Sequence, residues 1–235
     1  MLLLGSLSFE TLIMVVIIML FSMGLHEYGH ALMANWWGDP TPRSMGRLTP
    51  NPLVHINWLG FAMFVLIGFG ILGSVPVQPR YMRDPRWGAF WTAFAGPLMN
   101  LAVAVAAAIL FRVAVNIEIL PPLFTQFIFL TIFFNLLLFL FNLLPFFPID
   151  GWRMALALLP GVWLRREQIP AFVRFNMPPL SRFLQNPAYK WQDWAQISQA
   201  VLFVLIMMSF VLPSFNVLGA LISGPLRGLM AFLTG

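Results

Sequence analysis

The chain contains no cysteine, which excludes disulfides and thiolate metal sites but leaves the redox compartment open. Charge is nearly as scarce. Asp, Glu, Lys and Arg make up 9% of 235 residues, where soluble domains carry about 25%. Hydrophobic residues make up 60%, so the chain reads as an integral membrane protein in contact with the lipid bilayer. No PDZ-like or nucleotide-binding segment is visible, and there is no internal repeat or low-complexity tract. The N-terminus, MLLLGSLSFE, lacks a basic region and a small-residue cleavage site, which argues against a removable signal peptide. The net charge of +5 does not point to nucleic acid, because membrane proteins keep excess Lys and Arg on one face.

What is present is a series of apolar runs separated by Pro- and Arg-bearing loops. Residues 7–36, 57–74, 87–113, 124–147, 195–212 and 215–232 are the candidate spans. The expected fold is an all-α polytopic membrane protein with about five to six transmembrane segments. Residues 1–155 are expected to form one core, 156–194 a basic and aromatic segment lying in the interface, and 195–235 a pair of transmembrane helices.

Three polar residues stand out at the end of the first run. His26, Glu27 and His30 form an H-E-x-x-H pattern in an apolar helix. One acidic side chain at a bilayer centre costs roughly 2.5–3.5 kcal/mol on insertion scales. Residues four apart share a helix face, so His26 and His30 can ligate one ion from adjacent turns. Glu27 then lies beside that ion, where it can take a proton from water. Two imidazoles leave a tetrahedral ion one protein ligand short. Asp150 is the candidate. It closes an apolar run on Asn142-Leu-Leu-Pro145-Phe-Phe-Pro148-Ile-Asp150-Gly151, where two prolines break the helix and can swing the carboxylate towards the first span. The donor set suits several divalent ions.

Both stretches resemble the site-2 protease family of intramembrane zinc metalloproteases. That family carries H-E-x-x-H in one span and N-x-x-P-x-x-P-x-D-G at the end of a later one; here they stand complete at 26–30 and 142–151. Gly96, Pro97 and Asn100 resemble the family's G-P-x-x-N element. The resemblance covers about residues 8–155 and looks like a compact subgroup without PDZ or CBS domain. It implies that His26, His30 and Asp150 bind Zn2+ and that Glu27 is the general base. It also implies that Asn142 positions the substrate carbonyl or stabilises the oxyanion, and that the partner is a membrane-protein substrate. Asn100 reads as structural, and Gly96 and Pro97 as a close helix approach or kink. His55, the one other histidine, reads either as an interfacial loop residue or as a hydrogen-bond donor or resting ligand beside the metal.

The metal imposes a topology. His30 and Asp150 lie near the C-terminal ends of their spans, so those spans must be parallel. One crossing at 87–113 makes them so, and a second at 57–74 would undo it. Residues 57–74, with four glycines, are therefore expected to be re-entrant. That arrangement puts Arg43, Arg47, Arg80, Arg83, Arg86, Arg153, Arg165, Arg166, Arg174, Arg182, Lys190 and Arg227 on the motif side and Arg112 alone on the other. The positive-inside rule then places the site near the cytosolic face, the N-terminus outside and the C-terminus in the cytosol. Two other classes compete: a catalytically silent homologue that binds membrane partners, whose motifs should decay, and a metal-dependent transporter, which should show polar residues along several spans. The sequence sets neither the substrate nor the oligomeric state.

Overall fold

A computed structural model describes residues 8–67, 73–117, 121–158, 188–212 and 216–235. The described elements are α1 (Phe9–Trp37), α2 (Thr41–Ser44), α3 (Trp58–Ile67), α4 (Pro85–Ile117), α5 (Pro122–Asn142), α6 (Asp150–Leu158), α7 (Ala188–Val211) and α8 (Val217–Thr234). Short 3-10 turns stand at Pro52–Val54 and Pro79–Tyr81. Most of the interfacial segment expected at 156–194 lies outside the described residues.

Four helices, α1, α4, α5 and α8, are long and apolar enough to cross a membrane. α1 is the most enclosed of them. It starts at Ser8, whose hydroxyl accepts from Thr11 N–H at 3.3 Å. It ends where Gly38 takes φ 107° and Asp39 N–H bonds back to Ala34 O at 3.0 Å. In lipid the helices are held by close packing and interhelical hydrogen bonds rather than by expulsion of water. Ala104 and Ala108 of α4 accordingly lie against Ile128, Ile132 and Leu136 of α5 and Ile222 and Leu226 of α8. At Gly29 the backbones of α1 and α4 meet, and an added Cβ would sit 2.7 Å from Ala95 O. Large side chains such as Phe9, Ile109 and Leu110 stay exposed, as expected of a lipid-facing surface.

The two ends of the segment 57–74 come together. α3 has 10 residues, a rise of about 15 Å, roughly half a bilayer core. Ile56 and Gly73, at its two ends, form an isolated antiparallel bridge, the one β pairing among the described residues. The segment thus begins and ends at one level. Phe61 and Phe64 pack on Val15, Met19 and Met23 of α1. The preceding loop also folds back, with Pro52 seated against Gly24 so closely that a Cβ there would lie 2.7 Å from Pro52 Cα.

The C-terminal region departs from expectation. The apolar part of α7 is Trp194–Ser209, shorter than the four crossing helices. Its Ser198 hydroxyl accepts from Phe147 N–H at 3.0 Å, and Leu202 packs on Ile149 and Leu218. α7 thus stays against the end of the bundle that carries Asp150. α8 starts at that end and runs to the opposite one, where Arg112 donates to the Phe232 and Leu233 carbonyls, the latter at 2.8 Å. Residue 235 therefore lies at the end opposite His30 and Asp150, which corrects the expectation that the C-terminus shares the motif side.

Candidate metal centre

His26 and His30 project from one face of α1, with ring centroids 4.6 Å apart. Asp150 arrives from the end of α5. Pro145 and Pro148 prevent the helix from continuing, and the chain turns through Phe146 N–H to Leu144 O and Ile149 N–H to Phe146 O, both 2.8 Å. Gly151 lets α6 double back here, because a Cβ would collide with the carbonyls of Leu143 and Leu144. Arg86, at the start of α4, donates from Nε to Ala157 O at 2.8 Å and so ties down the far end of α6.

The three donor atoms form a near-equilateral triangle. His26 Nε2 lies 3.0 Å from His30 Nε2 and 3.0 Å from Asp150 Oδ2, and His30 Nε2 lies 3.2 Å from the same oxygen. Zinc bonds of about 2.0–2.2 Å in a tetrahedral set hold neighbouring donors roughly 3.3 Å apart. The hydrogen bonds behind the rings test whether a cation fits. His30 Nδ1 sits 2.6 Å from Thr92 O, a carbonyl that only accepts, so Nδ1 carries the proton. His26 Nδ1 faces Asn100 Oδ1 at 2.6 Å, and the Asn100 amide nitrogen is committed to Ser22 O and Asn135 Oδ1, so His26 also donates through Nδ1. Neutral imidazoles protonated there present bare lone pairs at Nε2. Two such lone pairs and a carboxylate oxygen converge within 3.2 Å, and they repel unless positive charge sits among them. The residues fit a divalent cation, each histidine backed by an acceptor as metal-binding imidazoles are.

Gly96 makes room for the pair. A Cβ at that position would lie 2.7 Å from His26 Nε2 and closer still to His30 Nε2. Pro97 follows it inside α4, removing one rung of the helix ladder next to the turn that offers Thr92 O to His30.

Glu27 is 5% exposed, and its Oε2 makes no hydrogen bond among the described residues. Gly73, the hairpin's return point, lies on it: a Cβ there would be 3.0 Å from Glu27 Cγ. His55 is buried in the loop before α3, and its Nε2–H donates to Thr49 O at 2.7 Å while Nδ1 stays unbonded. Arg47 donates to Val54 O in the same loop. His55 thus ties this loop together, and no described hydrogen bond joins it to the three donors. Asn142 donates to Leu138 O of its own helix at 2.9 Å, and no described bond joins it to the three donors. Thr92, Asn135 and Ser22 had no role in the sequence reading. Asn135 and Ser22 could have been noticed as polar side chains inside apolar runs, whereas a backbone carbonyl such as Thr92 O leaves no trace in composition.

The family model for peptidase family M50 matches residues 14–120. "Putative zinc metalloprotease YwhC" of Bacillus subtilis (strain 168) is 37% identical over 163 residues, which cover 67% of this chain and 74% of that protein. "Putative zinc metalloprotease Rip2" of Mycolicibacterium smegmatis is 35% identical over 91 residues, covering 37% of this chain and 35% of that protein. No solved structure matches the chain. The extent of the Bacillus relative covered at that identity shows that the chain belongs to peptidase family M50, the site-2 protease family.

Proposed function

We propose that the chain is an intramembrane zinc endopeptidase that cleaves transmembrane or membrane-proximal segments of other proteins. The observation that carries this reading is the triangle of His26 Nε2, His30 Nε2 and Asp150 Oδ2, with Glu27 on the adjoining turn. Those three residues would hold the ion. Zinc bound there supplies Lewis acidity towards a carbonyl and lowers the pKa of water to about 7.

Glu27 takes the proton of the attacking water and returns it to the leaving amine. Its enclosure and its free Oε2 suit a carboxylate whose partner is water or substrate rather than protein. Asn142 is assigned to the developing oxyanion, for which its amide must exchange Leu138 O for the substrate. The substrate must be extended, because a helix hides its amides. Val75–Val77 follow the Ile56–Gly73 bridge and make no backbone hydrogen bond among the described residues, the segment being anchored by Gln78 N–H to Asp39 Oδ2 at 2.6 Å. An unwound substrate strand would add to that edge beside Glu27. The arginines at the site's end of the bundle support a site near the cytosolic face.

The test is Glu27→Gln with metal analysis. Retained zinc with cleavage of a membrane substrate reduced at least about 100-fold is expected of a general base. Wild-type cleavage by that variant would refute the assignment.

A further inference from the structure

Resting on the metal reading above, the polar groups behind His26 form a chain with a fixed direction. It begins on backbone. Thr131 O can only accept, so the Asn135 amide nitrogen must point at it, at 2.9 Å; the same nitrogen donates to Ser22 Oγ at 2.9 Å. Asn135 Oδ1 is therefore turned to Asn100 and accepts from its Nδ2 at 3.1 Å. Asn100 Nδ2 also donates to Ser22 O at 3.3 Å, a second carbonyl that admits no other orientation. That leaves Asn100 Oδ1 facing His26 Nδ1 at 2.6 Å, and the imidazole must place its proton there. Asn100 and Asn135 are fully enclosed, so water does not compete for these bonds.

Reversing any link would put an amide N–H against the His26 N–H, or move the ring proton to Nε2, where it would point into the donor triangle. We propose that Asn135 is a positioning residue which, acting through Asn100, holds His26 in the tautomer that offers Nε2 to a divalent cation. Asn135 has no hydrogen bond to His26, His30 or Asp150 among the described residues, so its effect must pass through the amide of Asn100. The chain also links three helices. It starts on α5, passes through α4 and ends on α1, with Ser22 one turn before His26.

The experiment uses full-length protein in lipid nanodiscs, stripped with chelator and titrated with zinc in a competition assay. Asn135→Leu fills the space without an amide. It is expected to weaken zinc binding about 10–100-fold, as loss of such outer support does elsewhere. Because the chain has three histidines, 15N-histidine spectra of the stripped protein can follow His26 directly. Wild type should show the Nδ1–H form alone, and Asn135→Leu a mixture. Ile132→Ala, a buried change of packing on the same helix, should lower the melting temperature yet keep wild-type zinc affinity. Asn135→Ala removes the same amide and should weaken zinc binding and mix the tautomers likewise, and it serves if the leucine variant does not fold. Wild-type affinity with an unmixed Nδ1–H signal in either Asn135 variant would overturn the proposal, as would equal loss of affinity in Ile132→Ala. A wild-type protein that binds no zinc would sink the metal reading itself, a result distinct from these.

Discussion

At the scale of single residues, the site depends as much on a missing side chain as on those present. Gly96 faces both imidazoles, and a methyl group there would sit 2.7 Å from His26 Nε2. Alanine is the better helix former by about 0.8–1.0 kcal/mol, so propensity alone would favour Gly96→Ala. The steric demand opposes it, because α4 is already in backbone contact with α1 at Gly29 and Ala95 and has little room to retreat. Gly96→Ala is expected to keep wild-type helix content by circular dichroism while losing about 10–100-fold in zinc affinity. Undiminished affinity would show that the rings or the helix yield without harm. His26, Glu27 and His30 were legible in the sequence because each is expensive in an apolar helix and their spacing has one reading. Gly96 was legible only as a close approach, and what it approaches became visible when α4 was laid against α1. Asn100 read as structural, and in the structure its Oδ1 faces His26 Nδ1 at 2.6 Å. Its partner is set by tertiary contact across 74 residues of chain, which no local pattern records.

At the scale of elements, the hairpin around α3 shows where pattern runs out. An 18-residue apolar stretch with four glycines is compatible with a crossing or a return, and composition does not separate them. The requirement that His30 and Asp150 meet decided for the return, and the Ile56–Gly73 bridge agrees with it. Residues 68–72 lie outside the described residues. Beyond the bridge, Val75–Val77 make no backbone hydrogen bond among the described residues and continue the segment that passes Glu27 at Gly73. Val77 lies clear of the Ile56–Gly73 bridge, so Val77→Pro removes one edge N–H without breaking a described bond. Cleavage of an extended membrane substrate should fall about 5–10-fold, the worth of one hydrogen bond of ~1–1.5 kcal/mol, with zinc content unchanged. Full activity in that variant would remove the edge from the mechanism. α6 was not separated from the preceding turn in the sequence, because Asp150-Gly151 reads as a helix stop. The prolines do stop α5, but the same Asp150 opens the next helix.

At the scale of the whole molecule, the number of crossings decides which ends share a side. Among the described residues α1, α4, α5 and α8 are the helices of crossing length, while Ile56 and Gly73 pair on either side of α3 and α7 stays against the site's end. The contacts of α8, Leu218 on Ile149 at its start and Arg112 on its last carbonyls, put residue 235 at the end away from Asp150. Arg112 at the C-terminal carbonyls of α8 marks that end. The sequence reading took 195–212 as a span because the stretch is largely apolar, and one crossing more or fewer flips everything after it. The charge rule does not decide this point, because eleven of the twelve motif-side cations, Arg43 to Lys190, precede the apolar stretch Trp194–Ser209, and the twelfth, Arg227, moves little in the count. Reporters inserted after Arg43 and after Arg86 should read the same, cytosolic side, and one fused after Gly235 the opposite side. Readings on opposite faces for the first two would break the parallel arrangement that lets His30 meet Asp150. A cytosolic reading for the third would instead restore the extra crossing and require α7 to leave Phe147 and Ile149, where Ser198 and Leu202 now hold it.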